Sequence, residues 1–398
     1  MIDTNRRVAV TLYAYSFLDD FVLLYPVYAL LFSDTGLSVW QISSLFAIWS
    51  ATSLILEVPS GAWADAVSRK LLLVTGPLLT AVGFALWVSA PSYWAFAAGF
   101  VLWGAKGALM SGALEALVYE ELERNGGSGQ YAKIMGRAKA AGTIGVVLAV
   151  AAAGLVLDVG GYPAVGAASV VACVLTAAVA ALFPEHRDRR THEDGEPGLL
   201  DTLRAGVTEA RRSRPVRAAI ALVIIVSAVW GALDEYTPLL IGATGVPEAS
   251  VPLLLLLIWA GVALGGLLTG RAANLPKPGL ALLLVGAGAA MAAGALTGKP
   301  AGIVLVAVAF AGFQLADVLI GAQLQASVTG PARATVTSLA GMGTDLATLG
   351  VYGSYAALAG AAGHGGAFAI LAVPYAGVAL CLLTTRATRV PAMRSSGP

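Results

Sequence analysis

The stretch Gly61-Ala62-Trp63-Ala64-Asp65-Ala66-Val67-Ser68-Arg69-Lys70 joins two long apolar stretches of the chain, 39–62 and 70–90. A helix that crosses a membrane needs about 20 mostly apolar residues, and both flanking stretches reach that length. The joining segment carries one acid, Asp65, followed by two cations four and five residues later. We therefore expect a polar loop between two membrane helices, in which Asp65 can accept hydrogen bonds from Arg69 and from amides at a neighbouring helix start.

Apolar stretches of this kind recur along the whole chain. Hydrophobic residues make up 58% of its 398 residues and charged residues only 12%, against about 25% charged residues in soluble proteins. Twelve stretches have the length and composition of membrane-spanning helices. They are 8–32, 39–62, 70–90, 92–119, 133–157, 161–184, 216–242, 249–270, 278–297, 300–327, 334–360 and 364–385. The predicted fold class is an all-α membrane protein with twelve transmembrane helices.

The positions of the lysines and arginines predict how these helices are oriented. Of the 24 such residues, 22 fall on one side of every apolar stretch, Lys106 lies inside a stretch and Lys299 lies on the other side. Lysine and arginine stay on the cytoplasmic side during membrane insertion. Because the number of stretches is even, both termini share that side. We therefore expect a multi-pass protein of the cell (inner) membrane, surrounded by the lipid bilayer, with cytoplasmic N- and C-termini.

The longest hydrophilic stretch divides the apolar stretches into six and six. It runs from Glu185 to Arg217 and carries eight arginines and seven acids. Interleaved charges of this kind are typical of a solvated tether. We expect an N-terminal six-helix bundle over 1–184, a cytoplasmic linker over 185–215 and a C-terminal six-helix bundle over 216–398.

A short repeat relates the two halves of the chain. Leu18-Asp19-Asp20-Phe21 in the first predicted helix is matched by Leu233-Asp234-Glu235-Tyr236 in the seventh, at a constant offset of 215 residues. Transporters are often built from duplicated bundles whose substrate site lies near the middle of the membrane. The repeat therefore favours two pseudo-symmetric bundles, with paired acids near their shared centre.

The loop quoted above resembles the signature that members of the major facilitator superfamily carry between their second and third helices. Four positions match that signature: Gly61, Asp65, Arg69 and Lys70. Two depart from it, because Trp63 and Ser68 stand where Leu and Gly are usual. Glu57–Ser60 and Pro331–Thr335 also look like stretches of exporter-like members. The resemblance implies two six-helix bundles that rock about a central site, and a conformational latch, formed by the four matching residues, that closes the cytoplasmic side.

Acidic residues inside the predicted helices outnumber basic ones by eight to one. The acids are Asp19, Asp20, Glu57, Glu115, Asp234, Glu235, Asp317 and Asp345, and the base is Lys106. An ionised side chain at the bilayer centre costs about 2.5–3.5 kcal/mol on insertion scales. Acids without a basic partner must be protonated, face water or contact the transported species, and a desolvated carboxyl group can load and release protons near neutral pH. This imbalance is the strongest indication of function in the sequence.

Depth and helical spacing predict three groups of site residues. The substrate-binding residues are Tyr13, Phe17, Asp20, Tyr25, Trp103, Lys106, Trp230, Tyr236, Gln314, Asp317 and Asp345. The proton-coupling residues are among Asp19, Asp20, Asp234 and Asp317. A structural charge network under the cytoplasmic loops consists of Glu57, Glu115 and Arg137. Either Asp19 or Asp20 faces the cavity, and either is a partner for Lys106.

Other classes of function find no support in the sequence. The two cysteines lie in apolar stretches, and the three histidines show no spacing typical of metal ligands. The chain has no nucleotide-binding GxxxxGK[ST] segment and no catalytic Ser/His/Asp or Cys/His arrangement. Its formal net charge is only +1. We therefore expect no enzyme activity, no cofactor, no metal and no nucleic-acid partner, and we expect a monomer.

Three hypotheses for the activity follow. The favoured one is a secondary transporter that exports a small organic amphipathic compound in exchange for protons, by alternating access. The second is a proton-coupled importer or a facilitator of a polar metabolite or anion, with Lys106 as the ligand of the anion. The third is a membrane receptor on a transporter scaffold, which would bind its ligand without flux.

Overall fold

The computed structural model describes residues 2–66, 68–110, 112–186, 214–327 and 332–384. Within these ranges, side chains are not described at 2–4, 57–66, 214–215, 327 and 332–335. The side chains of Gly61 and Asp65 in the predicted latch, and of Glu57 in the predicted charge network, therefore lie outside the described part of the chain. Most of the predicted linker lies outside it as well.

All regular structure in the described residues is helical, as expected for a chain that must satisfy its backbone hydrogen bonds inside a bilayer. The α-helices are α1 (Ile2–Asp20), α2 (Tyr28–Asp34), α3 (Val39–Ala66), α4 (Arg69–Ser89), α5 (Tyr93–Met110), α6 (Ala113–Arg124), α7 (Tyr131–Ala180), α8 (Arg214–Asp234), α9 (Thr237–Gly242), α10 (Val251–Ala272), α11 (Lys277–Leu296), α12 (Gly302–Ser327), α13 (Ala332–Leu371) and α14 (Val373–Thr384). Short 3-10 turns at Ser128–Gln130 and Glu248–Ser250 precede α7 and α10.

Nine helical segments of the described residues are long and apolar enough to cross a membrane. Two of them contain two crossings each, because the chain reverses at Gly161 in α7 and at Gly363 in α13, where φ is 62° and 71°. Glycine is the residue that adopts this left-handed backbone without a steric cost. Together with α1 and α2 as the first crossing, these segments make up the twelve predicted ones. The prediction of an all-α, twelve-crossing membrane fold is confirmed.

The first crossing of each half is broken at the repeated motif. α1 ends at Asp20 and α8 ends at Asp234, so each helix stops inside its copy of the motif. Pro26 lies in the first break and Pro238 lies in the first turn of α9. Proline has no backbone N–H and cannot continue the hydrogen bonds of a preceding helix. Non-helical backbone is tolerated inside a membrane where it is buried in protein or lines a cavity, and the two breaks lie at corresponding positions of the repeat.

The fourth predicted crossing, 92–119, lies in an apolar span of the structure, but two helices form this span in place of one continuous helix. Gly112 has a φ of 71° and separates α5 from α6. Glu115 lies after this break. Counting residues along one helix therefore does not give the direction of Glu115 relative to Lys106. The structure places Glu115 in the first turn of α6, on the exposed surface.

Apolar packing joins the two halves on one side of the molecule. The largest buried cluster contains residues of both halves, such as Phe46 and Tyr236, whose ring centroids are 5.2 Å apart. Toward the predicted cytoplasmic ends, a cluster around Leu12 belongs only to the first half and a cluster around Leu324 belongs only to the second. The described packing thus closes the predicted outer side. With the orientation predicted from the cations, this is an inward-facing arrangement.

Candidate substrate cavity

A cavity of about 200 Å³ lies between the two halves, beside the breaks in the first crossing of each. Its walls come from α2, α3, α5 and the first break on one side, and from α8, α9, α10 and the second break on the other. The lining residues are Tyr25, Pro26, Tyr28, Trp49, Trp103, Asp234, Glu235, Thr237, Pro238, Leu255 and Trp259. The structure therefore brings three of the predicted site residues, Tyr25, Trp103 and Asp234, to one cavity.

One wall of the cavity is aromatic. The rings of Tyr25 and Trp103 stack with centroids 5.1 Å apart and an interplanar angle of 2°. The ring of Trp49 lies 5.1 Å from that of Trp103, at 32°, and Tyr28 meets Trp103 edge-on at 6.0 Å. Trp259 adds a further ring from α10. Such rings present a large apolar area and an electron-rich face that attracts cations.

The second half of the chain contributes two acids, Asp234 and Glu235, and both are half-buried. The hydroxyl of Tyr28 donates a hydrogen bond to Glu235, and the indole of Trp259 lies on the same cavity as Asp234. Both of these neighbours are uncharged, so they do not neutralise the carboxyl groups. No lysine, arginine or histidine is among the described residues that line the cavity. When its acids are ionised, the cavity therefore carries net negative charge.

The lysine inside the predicted helices is held in an ion pair. Nζ of Lys106 donates to Oδ1 of Asp19 at 2.6 Å, and Lys106 is only 8% exposed. Of the two adjacent acids, Asp19 is therefore the partner of the lysine. The carboxyl group of Asp20 instead lies against α7, where it covers Gly142 and leaves no room for a Cβ atom. The pair lies one helical turn beyond Trp103, next to the aromatic wall.

The polar residues predicted on the last helices do not line this cavity. Asp317 on α12 accepts a hydrogen bond from the hydroxyl of Ser227 on α8. Gln314 lies one turn earlier on α12 and is half-buried. Asp345 on α13 is also half-buried. Their role in binding stays a prediction.

Tyr236 was predicted as an aromatic wall of the site, but its ring does not line this cavity. It is fully buried and stacks on Tyr355 with centroids 3.6 Å apart. Its hydroxyl shares a hydrogen bond of 2.7 Å with the hydroxyl of Ser43 on α3. The structure therefore places Tyr236 at a contact between the two halves.

The remaining predicted aromatic residues lie outside the cavity lining as well. Phe17 stacks on Phe21, with ring centroids 5.5 Å apart. Tyr13 packs against the apolar cluster at the predicted cytoplasmic end of the first half. Trp230 packs edge-on against Phe310, and its buried Nε1 has no hydrogen-bond partner among the described residues.

The described residues of the predicted latch contact acids that precede the second half of the chain. The guanidinium group of Arg69 pairs with Glu120 on α6. The hydroxyl of Ser68 donates to Glu185 at 2.5 Å, and the backbone N–H of Lys70 donates to the same carboxyl group at 3.3 Å. Glu120 belongs to the first half, and Glu185 is the first residue of the predicted linker. In this conformation, these contacts of Ser68, Arg69 and Lys70 all lie before the second half of the chain.

The predicted charge network under the cytoplasmic loops is described only in part. Glu115 and Arg137 are both exposed, and no ion pair joins these two described residues. Two ionic contacts among the described residues of this region are the Arg69–Glu120 pair and the contact of His186 with Glu121. The network of Glu57, Glu115 and Arg137 stays a prediction.

On the opposite side of the molecule, a tyrosine links acids from both halves. The hydroxyl of Tyr162 donates to Oδ2 of Asp34 at 2.5 Å and lies 3.3 Å from Oε2 of Glu248. Asp34 ends α2, and Glu248 lies in the turn before α10. Burial and the nearby Asp34 carboxylate raise the pKa of Glu248. This group, which we call the outer cluster, is part of the closed predicted outer side.

Sequence reasoning missed two tryptophans of the cavity and assigned no role to Glu235. Trp49 and Trp259 each lie near the middle of a predicted crossing, in 39–62 and 249–270. Tryptophans of membrane proteins are enriched at the two membrane–water interfaces. Their mid-helix position was therefore a usable signal that these rings serve an internal site.

Comparison with known proteins identifies the family. The family model of the Major Facilitator Superfamily matches residues 9–363. The chain belongs to the Major Facilitator Superfamily. No match was found among curated proteins. The family assignment agrees with the resemblance of the loop between the second and third crossings, and it shows no particular branch.

Solved transporter structures share the fold of this major facilitator protein. A mutant of the nucleoside transporter NupG aligns with a TM-score of 0.77 at 13% identity, over 94% of this chain and 99% of that chain. A bacterial homolog of the human lysosomal transporter Spinster, in an inward-facing and unoccupied conformation, aligns with a TM-score of 0.66 at 18% identity, over 96% and 93%. The POT family transporter PepTSo aligns with a TM-score of 0.68 at 12% identity, over 95% and 97%.

At these identities, the similarity shows the fold alone. Family and fold together describe a multi-pass membrane protein built as a secondary transporter, not as an enzyme. Membership of such a family implies a small-molecule substrate and a lipid bilayer as partners.

Proposed function

We propose that this protein exports a small organic amphipathic compound in exchange for protons, by alternating access. The observation that carries the proposal is the cavity between the halves, where aromatic rings meet two carboxyl groups with uncharged neighbours. An amphipathic molecule suits such a site, because its apolar part covers the rings and its polar end reaches the acids. The site residues are then those that line the cavity, led by Tyr25, Trp103, Asp234 and Glu235.

Asp234 and Glu235 are the proton carriers in this proposal. A carboxyl group takes up or releases a proton when its exposure to water and its charged neighbours change. The two acids experience such a change when the cavity switches from one side of the membrane to the other. Asp19 has a basic partner in Lys106 at 2.6 Å and therefore serves the structure of the first half. Asp317, with the neutral Ser227 as its partner, remains a further candidate.

The rocking units in this proposal are the two six-helix bundles, 1–184 and 216–398, with the linker and both termini on the cytoplasmic side of the cell (inner) membrane. The apolar cluster shared by the halves supports an inward-facing state. Switching to the outward-facing state separates these contacts and brings the cytoplasmic ends together, where Gly61, Asp65, Arg69 and Lys70 form the latch. We propose that one monomer carries out the whole cycle.

The pairing of Lys106 argues against anion import. An anion ligand needs a cation that is free to contact it, and Lys106 is already bound to Asp19 in a largely buried site. Breaking such a pair leaves an uncompensated buried charge. Export of a compound that is not an anion therefore accounts for the geometry better.

Transport by purified protein in liposomes tests the proposal. Liposomes with an acidic lumen should accumulate an exported compound from a panel of one-ring amines, alcohols and carboxylates, and a trapped pH dye should report proton loss from the lumen. Glu235→Gln should reduce gradient-driven accumulation by about tenfold or more. Asp158→Asn changes an exposed acid that does not line the cavity and should match the native protein. Accumulation that is the same with and without the pH gradient, or that is unchanged in Glu235→Gln, would refute proton coupling through this site.

A further inference from the structure

We infer that the cavity selects organic cations, with Asp234 and Glu235 as the opposite charges and the rings of Tyr25, Trp49 and Trp103 as the surfaces on which the cation rests. This inference builds on the proposed function, because it names the chemical class of the exported compound.

The charges around the cavity point to a cation. Among the described residues that line it, two are acidic and none is basic. Glu235 accepts its hydrogen bond from the uncharged Tyr28, and the uncharged Trp259 lies on the same cavity as Asp234. The lysine nearest to the aromatic wall, Lys106, is committed to Asp19. A ligand with one positive charge therefore compensates charge that the protein leaves uncompensated, whereas an anion would meet two acids in a poorly hydrated site.

The aromatic wall favours the same class of ligand. Tyr25 and Trp103 stack in parallel, and Trp49 lies beside Trp103 at an angle of 32°. A cation within about 6 Å of a ring centroid is attracted to the ring face, most strongly for tryptophan, and quaternary ammonium ligands are recognised in this way. Rings on one side and carboxyl groups on the other form a site for an ammonium group that carries apolar substituents.

The break in the seventh crossing adds negative potential. α8 is 21 residues long and ends at Asp234, so its C-terminal end lies at the cavity. The C-terminal end of a helix carries a partial negative charge, and half-helix ends of this kind contact cations in transporters with discontinuous helices. The backbone therefore adds to the negative potential that the two carboxylate side chains create in the cavity.

The size and lining of the cavity indicate an organic cation and not a metal ion. A volume of about 200 Å³ is far larger than the roughly 10–15 Å³ that a single water needs, so the cavity has room for a small organic molecule. A Ca²⁺ ion takes six to eight oxygen ligands, whereas much of this cavity is walled by rings. The site therefore holds one small cation together with part of its apolar body.

Cation and proton then compete for the same carboxyl groups. A protonated acid has lost the charge that attracts the cation, and an acid that pairs with the cation gives up its proton to solvent. Antiport follows from this competition without a separate proton path, because only one of the two charges is carried in each direction.

Equilibrium binding to the full chain in detergent tests the inference, with tryptophan fluorescence as the readout. The probes are choline and its uncharged carbon analogue 3,3-dimethylbutan-1-ol, which has nearly the same shape. The native protein should bind choline at least about tenfold more tightly than the alcohol. Glu235→Gln and Asp234→Asn should each weaken choline binding by about tenfold and leave binding of the alcohol unchanged, whereas Asp158→Asn should change neither.

Each outcome bears on the inference. Equal binding of the two probes by the native protein, or no binding of choline, overturns it without requiring any variant to fold. Choline binding that survives in both acid variants overturns the assigned counter-charges. Cation-selective binding without gradient-driven transport would refute the proposed function and leave the cation site intact. Gradient-driven transport of uncharged compounds without any preference for cations would refute the cation site and leave the proposed function intact.

Discussion

At the scale of single residues, the structure explains which acid of the adjacent pair meets the lysine. The sequence shows two neighbouring acids whose side chains point about 100° apart on a helix, and this spacing does not rank them. The choice depends on the neighbouring helices, because α5 presents Lys106 to Asp19 while α7 presents the bare surface of Gly142 to Asp20. The existence of an intramembrane ion pair was predictable from composition, but the identity of its acid was not.

Removing the lysine should destabilise the protein. Lys106→Met leaves Asp19 without its partner, and loss of one partner of a buried pair costs about 3–5 kcal/mol. We expect a cost near the lower end, because the Asp19 side chain is 21% exposed. Thermal unfolding in detergent measures the effect as a lower midpoint temperature.

The double variant Lys106→Met with Asp19→Asn is the matched control, because it removes both charges together. It should recover most of the lost stability. Two results would show that the contact is not an ion pair that stabilises the fold. One is a Lys106→Met variant with the same midpoint temperature of unfolding as the native protein, and the other is a double variant less stable than Lys106→Met.

At the scale of elements, the sequence predicted helices well and breaks poorly. Long apolar runs identify the crossings, and the repeated motif indicated two related helices. The motif did not reveal that both helices stop there, since the apolar pattern continues through each break. The break at Gly112 was also hidden, because glycine is common inside membrane helices. The cavity depends on these breaks, so its position could not be predicted in full.

Two glycines four residues apart on α10, Gly261 and Gly265, allow a test of close helix packing. A Cβ atom at Gly261 or Gly265 would collide with the backbone carbonyl of Ala307 or Ala311 on α12. Gly265→Ala should therefore push the two helices apart and lower stability by about 1–3 kcal/mol, as overpacking does.

Gly266, the next residue on α10, provides the control, because a Cβ atom there meets nothing within 4 Å. Gly266→Ala should leave thermal stability unchanged or raise it slightly, since alanine favours helix more than glycine does. Equal effects of the two substitutions on the unfolding temperature would contradict the assigned contact between α10 and α12.

At the scale of the whole molecule, the apolar stretches of the sequence predicted the number of crossings, and the loop signature predicted the family. It did not predict which faces of the two halves meet. Tyr28 and Glu235 lie 207 residues apart in the chain and share a hydrogen bond, and only the packing of both halves brings them together. Contacts between halves also depend on the conformational state, which composition and spacing do not specify.

The outer cluster should make closure of the predicted outer side dependent on pH. Burial and the Asp34 carboxylate raise the pKa of Glu248 in the closed arrangement, and separation of the halves should return it toward the ordinary value of about 4.3. Protonation of Glu248 therefore favours closure. This stabilisation is complete below the ordinary pKa and is lost as the pH rises through the raised one.

Distances between spin labels at the exposed positions Ser33 and Ala243 report this closure, with the native cysteines replaced by serine. The short-distance population should grow several-fold from neutral to acidic pH. Glu248→Gln should hold the population near its acidic value at every pH. A variant with the same pH dependence as the native protein would rule out Glu248 as the responsible group.

The most direct test of the account is proton release on ligand binding, because the central claim is that the cavity acids hold either a proton or the cargo. Choline is added to weakly buffered, detergent-solubilised protein near neutral pH, and an indicator dye records the pH. We predict that binding releases protons from the native protein and from Asp158→Asn, but not from the double variant Asp234→Asn with Glu235→Gln. Choline binding without proton release, or equal release from the double variant, would contradict the account.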